Sequence, residues 1–117
     1  MTSDALQRLI DAVETGTARK PDFVQALGNE GDQVTTACSA YHGSLDAALA
    51  LHSALLPGWG VVNLGQAVYA RTGPTVDWHC RLEGRGPSDG SYAIGIGPAR
   101  ALLLAILRAY QSQEASQ

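Results

Sequence analysis

Residues 44–59, SLDAALALHSALLPGW, hold the clearest structural signals in the chain and predict the helix around which the rest is organised. Ser44 is a favourable N-cap because its hydroxyl accepts an unpaired backbone N–H at the start of a helix. Asp46 places negative charge in the first turn, where the helix dipole favours it, and Pro57 with Gly58 ends the helix. The apolar spacing predicts a core-facing stripe of Leu45, Leu49, His52 and Leu56, widened by Ala48 and Leu55.

After this helix the apolar residues change from a period of about 3.6 residues to alternation, which predicts three consecutive strands. In the first strand one side has Val62, Leu64, Val68 and Ala70, the other has Asn63, Tyr69 and Arg71, and Gly65 marks a bulge. In the second strand an apolar side of Val76, Trp78, Cys80 and Leu82 alternates with a polar side of Asp77, His79, Arg81 and Glu83. In the third, Tyr92, Ile94 and Ile96 alternate with Ala93, Gly95 and Gly97, whose small size leaves room for another element to approach.

Shorter helices are predicted before residue 44. Residues 3–15 form an amphipathic helix that ends at Gly16, and Pro21 opens a short helix that ends at Gly28. Residues 34–41 fit either a strand or a short helix, and we favour the helix.

A strongly apolar closing helix is predicted to begin at Pro98, and the polar residues 111–117 are expected to fray. Trp78 is expected in the core. Trp59 is expected either as a lid over the core edge, which we favour, or as an exposed anchor. The whole chain, residues 1–117, is therefore predicted to be a single α+β domain. Its three-stranded antiparallel meander packs with N-terminal, central and C-terminal helices as a layered α/β sandwich.

The composition excludes several classes of protein. The chain has 117 residues, a formal net charge of −3 and a pI of about 5.4. A nucleic-acid binder needs a concentrated basic face, and 11 dispersed acidic residues cannot imitate a phosphate ladder. Two cysteines, Cys38 and Cys80, without a signal sequence or a long apolar run, predict a reduced cytosolic setting and no membrane span.

Two blocks of the sequence resemble a known family. The SLDAA–LLPGW block at 44–59 and the P-A-R-A-L–A-I-L-R-A block at 98–109 are similar to those of the phage ABA sandwich domain family. The resemblance covers about residues 40–110 and implies a bacteriophage or prophage origin, a layered α/β fold and a location in the host-cell cytoplasm. The family implies no established activity, so no catalytic residue is transferred from it.

The sequence shows no catalytic or metal-binding pattern. Cys38 and His42 are four residues apart and would share a helix face, but no second pair has zinc spacing. His52 is expected at the edge of the core, held by a backbone carbonyl, and no GxSxG or Ser/His/Asp pattern accompanies it. We therefore expect no enzymatic activity, no cofactor and no metal.

Two surfaces are candidates for binding. The first is the polar strand face, where mixed charges with tyrosine and arginine are typical of protein interfaces; a solvated face with cross-strand ion pairs is the other interpretation. The predicted partner-binding residues are Tyr69, Arg71, Asp77, His79, Arg81 and Glu83.

The second surface is the turn from the third strand into the closing helix, with Gly95, Gly97 and Arg100 as predicted anion-binding residues. Backbone N–H groups at a helix start attract anions. Arg100 lies in the first turn, where the helix dipole disfavours a cation, and a bound phosphate or carboxylate would explain it. The other interpretation is that Arg100 extends outward into solvent.

The leading hypothesis is a non-enzymatic phage or prophage accessory protein that binds a host or phage protein. Antagonism of a host defence system, anti-CRISPR activity included, is its specific form. The alternatives are small-molecule or nucleotide binding at the Gly95–Arg100 turn, and a small hydrolase that uses His52 or His79. An exposed strand edge would also permit a homodimer, while direct binding of nucleic acid or membrane is not expected.

Overall fold

The computed structural model describes residues 2–28, 31–66, 77–84 and 90–116. These residues form five helices and three strands in the predicted order. The α+β class and the antiparallel meander packed with helices are confirmed. The elements are α1 (Thr2–Thr15), α2 (Lys20–Leu27), α3 (Gly31–Tyr41), α4 (Leu45–Leu55), β1 (Gly60–Gln66), β2 (Asp77–Glu83), β3 (Gly90–Ile96) and α5 (Pro98–Ser116).

Helix α5 is the centre of the molecule. Every residue from Ala101 to Leu107 is buried. One side of the helix packs on the sheet, chiefly on β3 and β2, and the other side packs on α1, α3 and α4. The organising element is therefore α5 and not, as predicted, the helix within residues 44–59. A helix that is apolar all round shows no stripe, so a search for amphipathic periodicity undervalues it.

The sheet has the order β1-β2-β3, and both neighbouring pairs are antiparallel. Its inner face, towards α5, buries Cys80, Leu82 and Ala93. Trp78 is half-buried and packs against the same core. The predicted apolar side of β2 is thus confirmed at these positions.

The bulge in β1 lies earlier than predicted. The register with β2 shifts between Val61 and Asn63, and Val62, expected on the apolar side, is 54% exposed because the extra residue breaks the alternation. Gly65, the predicted bulge, instead pairs with His79. The predicted strand residues 68–71 and Val76 lie outside the described residues.

Helix α4 begins as predicted but turns a different face to the core. The Ser44 hydroxyl accepts a hydrogen bond from the Ala47 backbone N–H at 3.1 Å. The buried residues of the helix are Ala48, Leu51 and Leu55, while Leu49 is 42% exposed. The predicted stripe is therefore wrong at Leu49 and missed Leu51. Leucines and alanines cover most of the helix circumference, so contacts with α3 and α5 decide which face is buried.

The junction between α3 and α4 depends on one serine. The Ser44 N–H donates to the Ser39 carbonyl at 3.0 Å, and the Gly43 N–H donates to the Ala40 carbonyl at 3.0 Å. This pattern, with Gly43 at φ 110°, is a Schellman motif that ends α3. Ser44 therefore ends one helix with its backbone and starts the next with its side chain. The helical interpretation of residues 34–41 is confirmed.

The chain ends also differ from expectation. Helix α5 continues to Ser116, so residues 111–116 are helical and do not form a frayed tail. The Gln111 side-chain amide donates to the Gln7 side-chain oxygen at 2.7 Å, which fastens this segment to α1.

Trp59 is 7% exposed, as the predicted lid requires. No helix in the described ranges combines the length and apolar character needed to cross a membrane.

We predict that Gly95→Ala destabilises the fold, because α5 lies directly against β3 at this position. A Cβ atom there would lie 2.9 Å from the Ala101 backbone nitrogen and 3.1 Å from its Cα. Strand and helix would have to separate, and overpacking of this kind costs about 1–3 kcal/mol of unfolding free energy. Gly90→Ala is the matched control, since its nearest neighbour, the Leu82 carbonyl oxygen, lies at 3.8 Å. Urea unfolding measures both variants, and equal effects would contradict the close approach.

We predict that Ser44→Ala lowers the unfolding free energy by about 1 kcal/mol, because it removes the side-chain cap of α4. Ser53 lies exposed within the same helix and makes a suitable comparison. Ser53→Ala should leave stability unchanged or raise it slightly, since alanine is the better helix former. Urea unfolding of both variants checks the difference, and a Ser44→Ala protein as stable as the parent would refute the capping role.

Candidate functional site

The side of the sheet that faces away from α5 is called here the outer face. Among the described elements, α5 is the helix that packs broadly on the sheet, and it covers the opposite side. The outer face therefore lies open to solvent between the described strands. By register and alternation it comprises Asn63 and Gly65 of β1, His79, Arg81 and Glu83 of β2, and Tyr92, Ile94 and Ile96 of β3.

The β2 part of this face is polar, as predicted. Arg81 and Glu83 form an ion pair at 3.4 Å, and their side chains are 60% and 53% exposed. Such an exposed pair contributes little to stability, so both charges remain accessible to a partner. Asp77 begins β2, and nothing is described of its side chain, whereas Tyr69 and Arg71 lie outside the described residues.

The β3 part of the outer face is apolar, which the prediction of a polar strand face missed. Tyr92, Ile94 and Ile96 are 52%, 42% and 58% exposed. The signal was present in the sequence, because a strand with only Ala93 and Gly95 on the side approached by a helix must turn its large residues outward. The face is therefore mixed, with an apolar row beside a charged row.

Cross-strand contacts join the two rows. Arg81 lies opposite Tyr92, and His79 lies opposite Ile94. The imidazole of His79 stacks with the Tyr92 ring, with centroids 6.1 Å apart and an angle of 28° between the planes. On the β1 side, a Cβ at Gly65 would lie 3.6 Å from the His79 Nε2 atom. A side chain at this position would therefore make an ordinary van der Waals contact with the imidazole.

Arg100 lies in an environment that neither interpretation of the sequence, anion binding or extension into solvent, predicted. Its Nη2 donates to the Tyr41 carbonyl oxygen at 3.1 Å, and its Cζ lies 4.3 Å from the centroid of the Tyr41 ring. A cation is unfavourable at the start of α5 but favourable at the end of α3, where Tyr41 leaves an unpaired carbonyl. This contact explains why an arginine lies in the first turn of α5.

The two glycines of the predicted anion site have structural roles. Gly97 turns the chain from β3 into α5 with φ 91°, and its carbonyl accepts the Ala101 N–H at 3.2 Å. Gly95 permits the close approach of the helix described above. Pro98, at the helix start, has no N–H to offer. Both glycines are therefore explained by the backbone alone, and anion binding at this turn stays a prediction.

A groove runs beside the outer edge of β3 and is called here the edge groove. It has a volume of about 450 Å³ and lies between the end of α1, the strand β3 and one side of α5. Arg108 bridges it: Nη1 donates to the Tyr92 carbonyl at 2.9 Å, and Nη2 pairs with the Glu14 carboxylate. Sequence reasoning did not identify Arg108 or Glu14, because only the folded chain brings α1 beside β3.

The remaining candidate residues are separate from these surfaces. Burial raises the pKa of the Cys38 thiol, with nearby Lys20 opposing the shift, and burial raises the pKa of the Cys80 thiol to about 11. Both are therefore protonated thiols near neutral pH. His42, beyond the end of α3, is exposed. Within the described ranges no three His, Cys, Asp or Glu side chains cluster as metal ligands would.

His52 is half-buried on α4, and burial lowers the pKa of its imidazole. Its Nε2 atom is buried and has no hydrogen-bond partner among the described residues, so the expected hydrogen bond to a backbone carbonyl is not found at that atom. The side chain behaves as a neutral, partly apolar residue of the core edge.

The fold and its surfaces define a small α+β protein that leaves one mixed sheet face and a neighbouring groove open. Comparison of the chain with protein-family models, with curated proteins and with solved structures found no match. The resemblance to the phage ABA sandwich family therefore stays a prediction.

We predict that His52 makes the fold less stable in mild acid. Because its folded-state pKa lies below the unfolded value of about 6.5, protonation favours the unfolded chain. The unfolding free energy should hold its full value above that pH and fall as the pH drops below it. His52→Gln should weaken this dependence, whereas His42→Gln, at an exposed position, should keep it. Urea unfolding from about pH 7.5 to about pH 5.5 measures both.

Proposed function

We propose that this protein is a non-enzymatic binding protein and that another protein docks on the outer face. The proposal is carried by the row Tyr92, Ile94 and Ile96, in which each residue is 42–58% exposed. Such a row is costly to leave in water, and contiguous exposed apolar side chains rimmed by polar residues are typical of protein interaction sites.

The apolar row would supply affinity. Fully burying an isoleucine contributes roughly 1.5–3 kcal/mol, so covering the exposed half of Ile94 or Ile96 would contribute about 1 kcal/mol each. Tyr92 combines a large ring with a hydroxyl, a combination that interfaces favour. These three residues would form the centre of the contact.

The charged row would supply specificity. Arg81 and Glu83 are already more than half exposed and held close to one another by their ion pair. A partner with charges in the complementary order would be attracted, while a partner with like charges opposite them would be rejected. His79, stacked on Tyr92, joins this row to the apolar centre.

The biological setting of the proposal comes from the resemblance to the phage family. In that setting the partner is a host or phage protein in the host-cell cytoplasm, and the interaction antagonises a host defence system, with anti-CRISPR activity as the form to test first. The mixed chemistry of the outer face suits a protein partner, whereas a phosphate backbone would need a concentrated basic surface.

The test compares two aliphatic residues of equal exposure. Ile94 on the outer face and Leu49 on α4 are each 42% exposed. A photo-crosslinking side chain at position 94 is expected to capture one stoichiometric partner from a lysate of the cells that contain the gene, and the same group at position 49 is expected to capture none.

The affinity of the captured partner for two variants then shows whether it binds the outer face. Ile94→Glu should weaken binding at least tenfold, about 1.4 kcal/mol or more, by placing a charge in the apolar centre. Leu49→Glu should leave binding unchanged. Capture at position 49 alone, or equal loss with both variants, would place the interface elsewhere.

A further inference from the structure

We infer that the edge groove is a second binding site, which takes an extended acidic segment of a protein as an additional strand beside β3. The inference rests on the proposed function only in taking a protein as the partner. It concerns the backbone edge of β3 and the groove next to it, whereas the proposed function concerns the side chains of the outer face.

The edge of β3 beside the groove carries no further strand in the described part of the chain, although the Arg108 side chain already bonds its Tyr92 carbonyl. β3 is the last strand in the sheet order, and no fourth strand within the described ranges pairs with it. The Tyr92 carbonyl points away from β2, since it accepts a hydrogen bond from Arg108 on the groove side. Alternate residues of a strand direct their backbone groups to the same side, so Ile94 and Ile96 direct theirs to this edge as well.

The groove has the size and lining of a binding cleft. Its volume of about 450 Å³ falls within the roughly 300–1,000 Å³ of ligand clefts in proteins. Val13 and Leu104 give it an apolar part, and Arg100 and Arg108 give it a cationic part. An added strand would pair its backbone with β3 and direct alternate side chains into this cleft.

Arg100 indicates which side chain the cleft prefers. It is half-buried, and among the described residues its guanidinium contacts a carbonyl and an aromatic ring but no carboxylate. Its Nη1 is the atom nearest to a Cβ built on Gly16, at 3.9 Å, and both residues line the groove. A partly buried cation without a counter-charge is unfavourable, and a carboxylate in the groove would supply that charge.

The net charge of the groove supports an acidic occupant. Arg108 is balanced by Glu14, while Arg100 has no such partner in the described part of the chain. A second copy of the chain pairing through β3 would bring no acid on the strand itself, because residues 90–96 read GSYAIGI, and the Glu14 of its groove would arrive already paired with its own Arg108. Charge complementarity therefore favours an acidic segment of a different protein.

The first test uses two synthetic peptides on the intact protein. Both are capped heptapeptides of alternating threonine and valine; one has glutamate at its centre and the other has glutamine. Titration followed by two-dimensional NMR is expected to show the glutamate peptide binding at least about tenfold more tightly, as a charge-assisted hydrogen bond to arginine predicts. The amide of Ile94 should gain protection from hydrogen exchange on binding, and that of Ala93 should not.

The second test separates the edge from the outer face. Ile94→Thr keeps the backbone N–H but removes apolar surface, so it measures what this side chain, which also lines the groove, contributes to peptide binding. Ile94→Pro removes the N–H, which an edge position tolerates and an added strand does not, and it is expected to abolish peptide binding. If Ile94→Pro does not fold, the exchange protection of Ile94 in the unmodified protein decides the question.

Failure of this inference can be distinguished from failure of the proposed function. Equal affinity for the two peptides, or binding of neither, would overturn the inference while leaving the outer-face partner and the effect of Ile94→Glu in place. Binding without protection of the Ile94 amide would also overturn it. A dimer whose β3 edges are mutually protected would show that a second copy, not an acidic segment, occupies the groove.

Discussion

The packing of α5 directly on the inner face of the sheet is the constraint on which the other features depend. Gly95 places no side chain between β3 and the Ala101 backbone, and one turn later the Ser91 hydroxyl donates to the Ala105 carbonyl at 2.8 Å. So close an approach admits only small residues on that side of β3. The large apolar residues of the strand must then face outward, because side chains alternate. The exposed row on the outer face is therefore a consequence of how the core is packed.

Arg100 links the helical layer to this core. By contacting the Tyr41 carbonyl and ring, it joins the first turn of α5 to the last turn of α3. The same position puts an unbalanced positive charge at the wall of the edge groove. The Nη2 atom of this side chain thus has a structural role. The anion binding expected at the turn stays a prediction, and the contacts with Tyr41 account for the position of Arg100.

Local signals in the sequence predicted the parts of the fold that local chemistry determines. The Ser44 cap, the alternation of β2 and the small inner face of β3 each depend on residues close in sequence, and each was found. The buried face of α4 was predicted wrongly, because Leu49 and Leu51 are equally apolar and only contacts with the neighbouring helices decide which of them is buried. The partner of Arg100 and the edge groove depend on how distant helices are placed, which residue spacing does not encode.

The outer face and the edge groove share one strand but use different parts of it. Tyr92, Ile94 and Ile96 offer their side chains to the outer face, while their backbone groups point to the edge. A partner on the outer face recognises side-chain shape and charge, whereas a strand added at the edge recognises backbone first and the cationic groove second. The two contacts are compatible on one β3 strand. A single partner with a folded surface and an acidic extended arm would engage both, and the two contributions would then add through effective concentration rather than through new contacts.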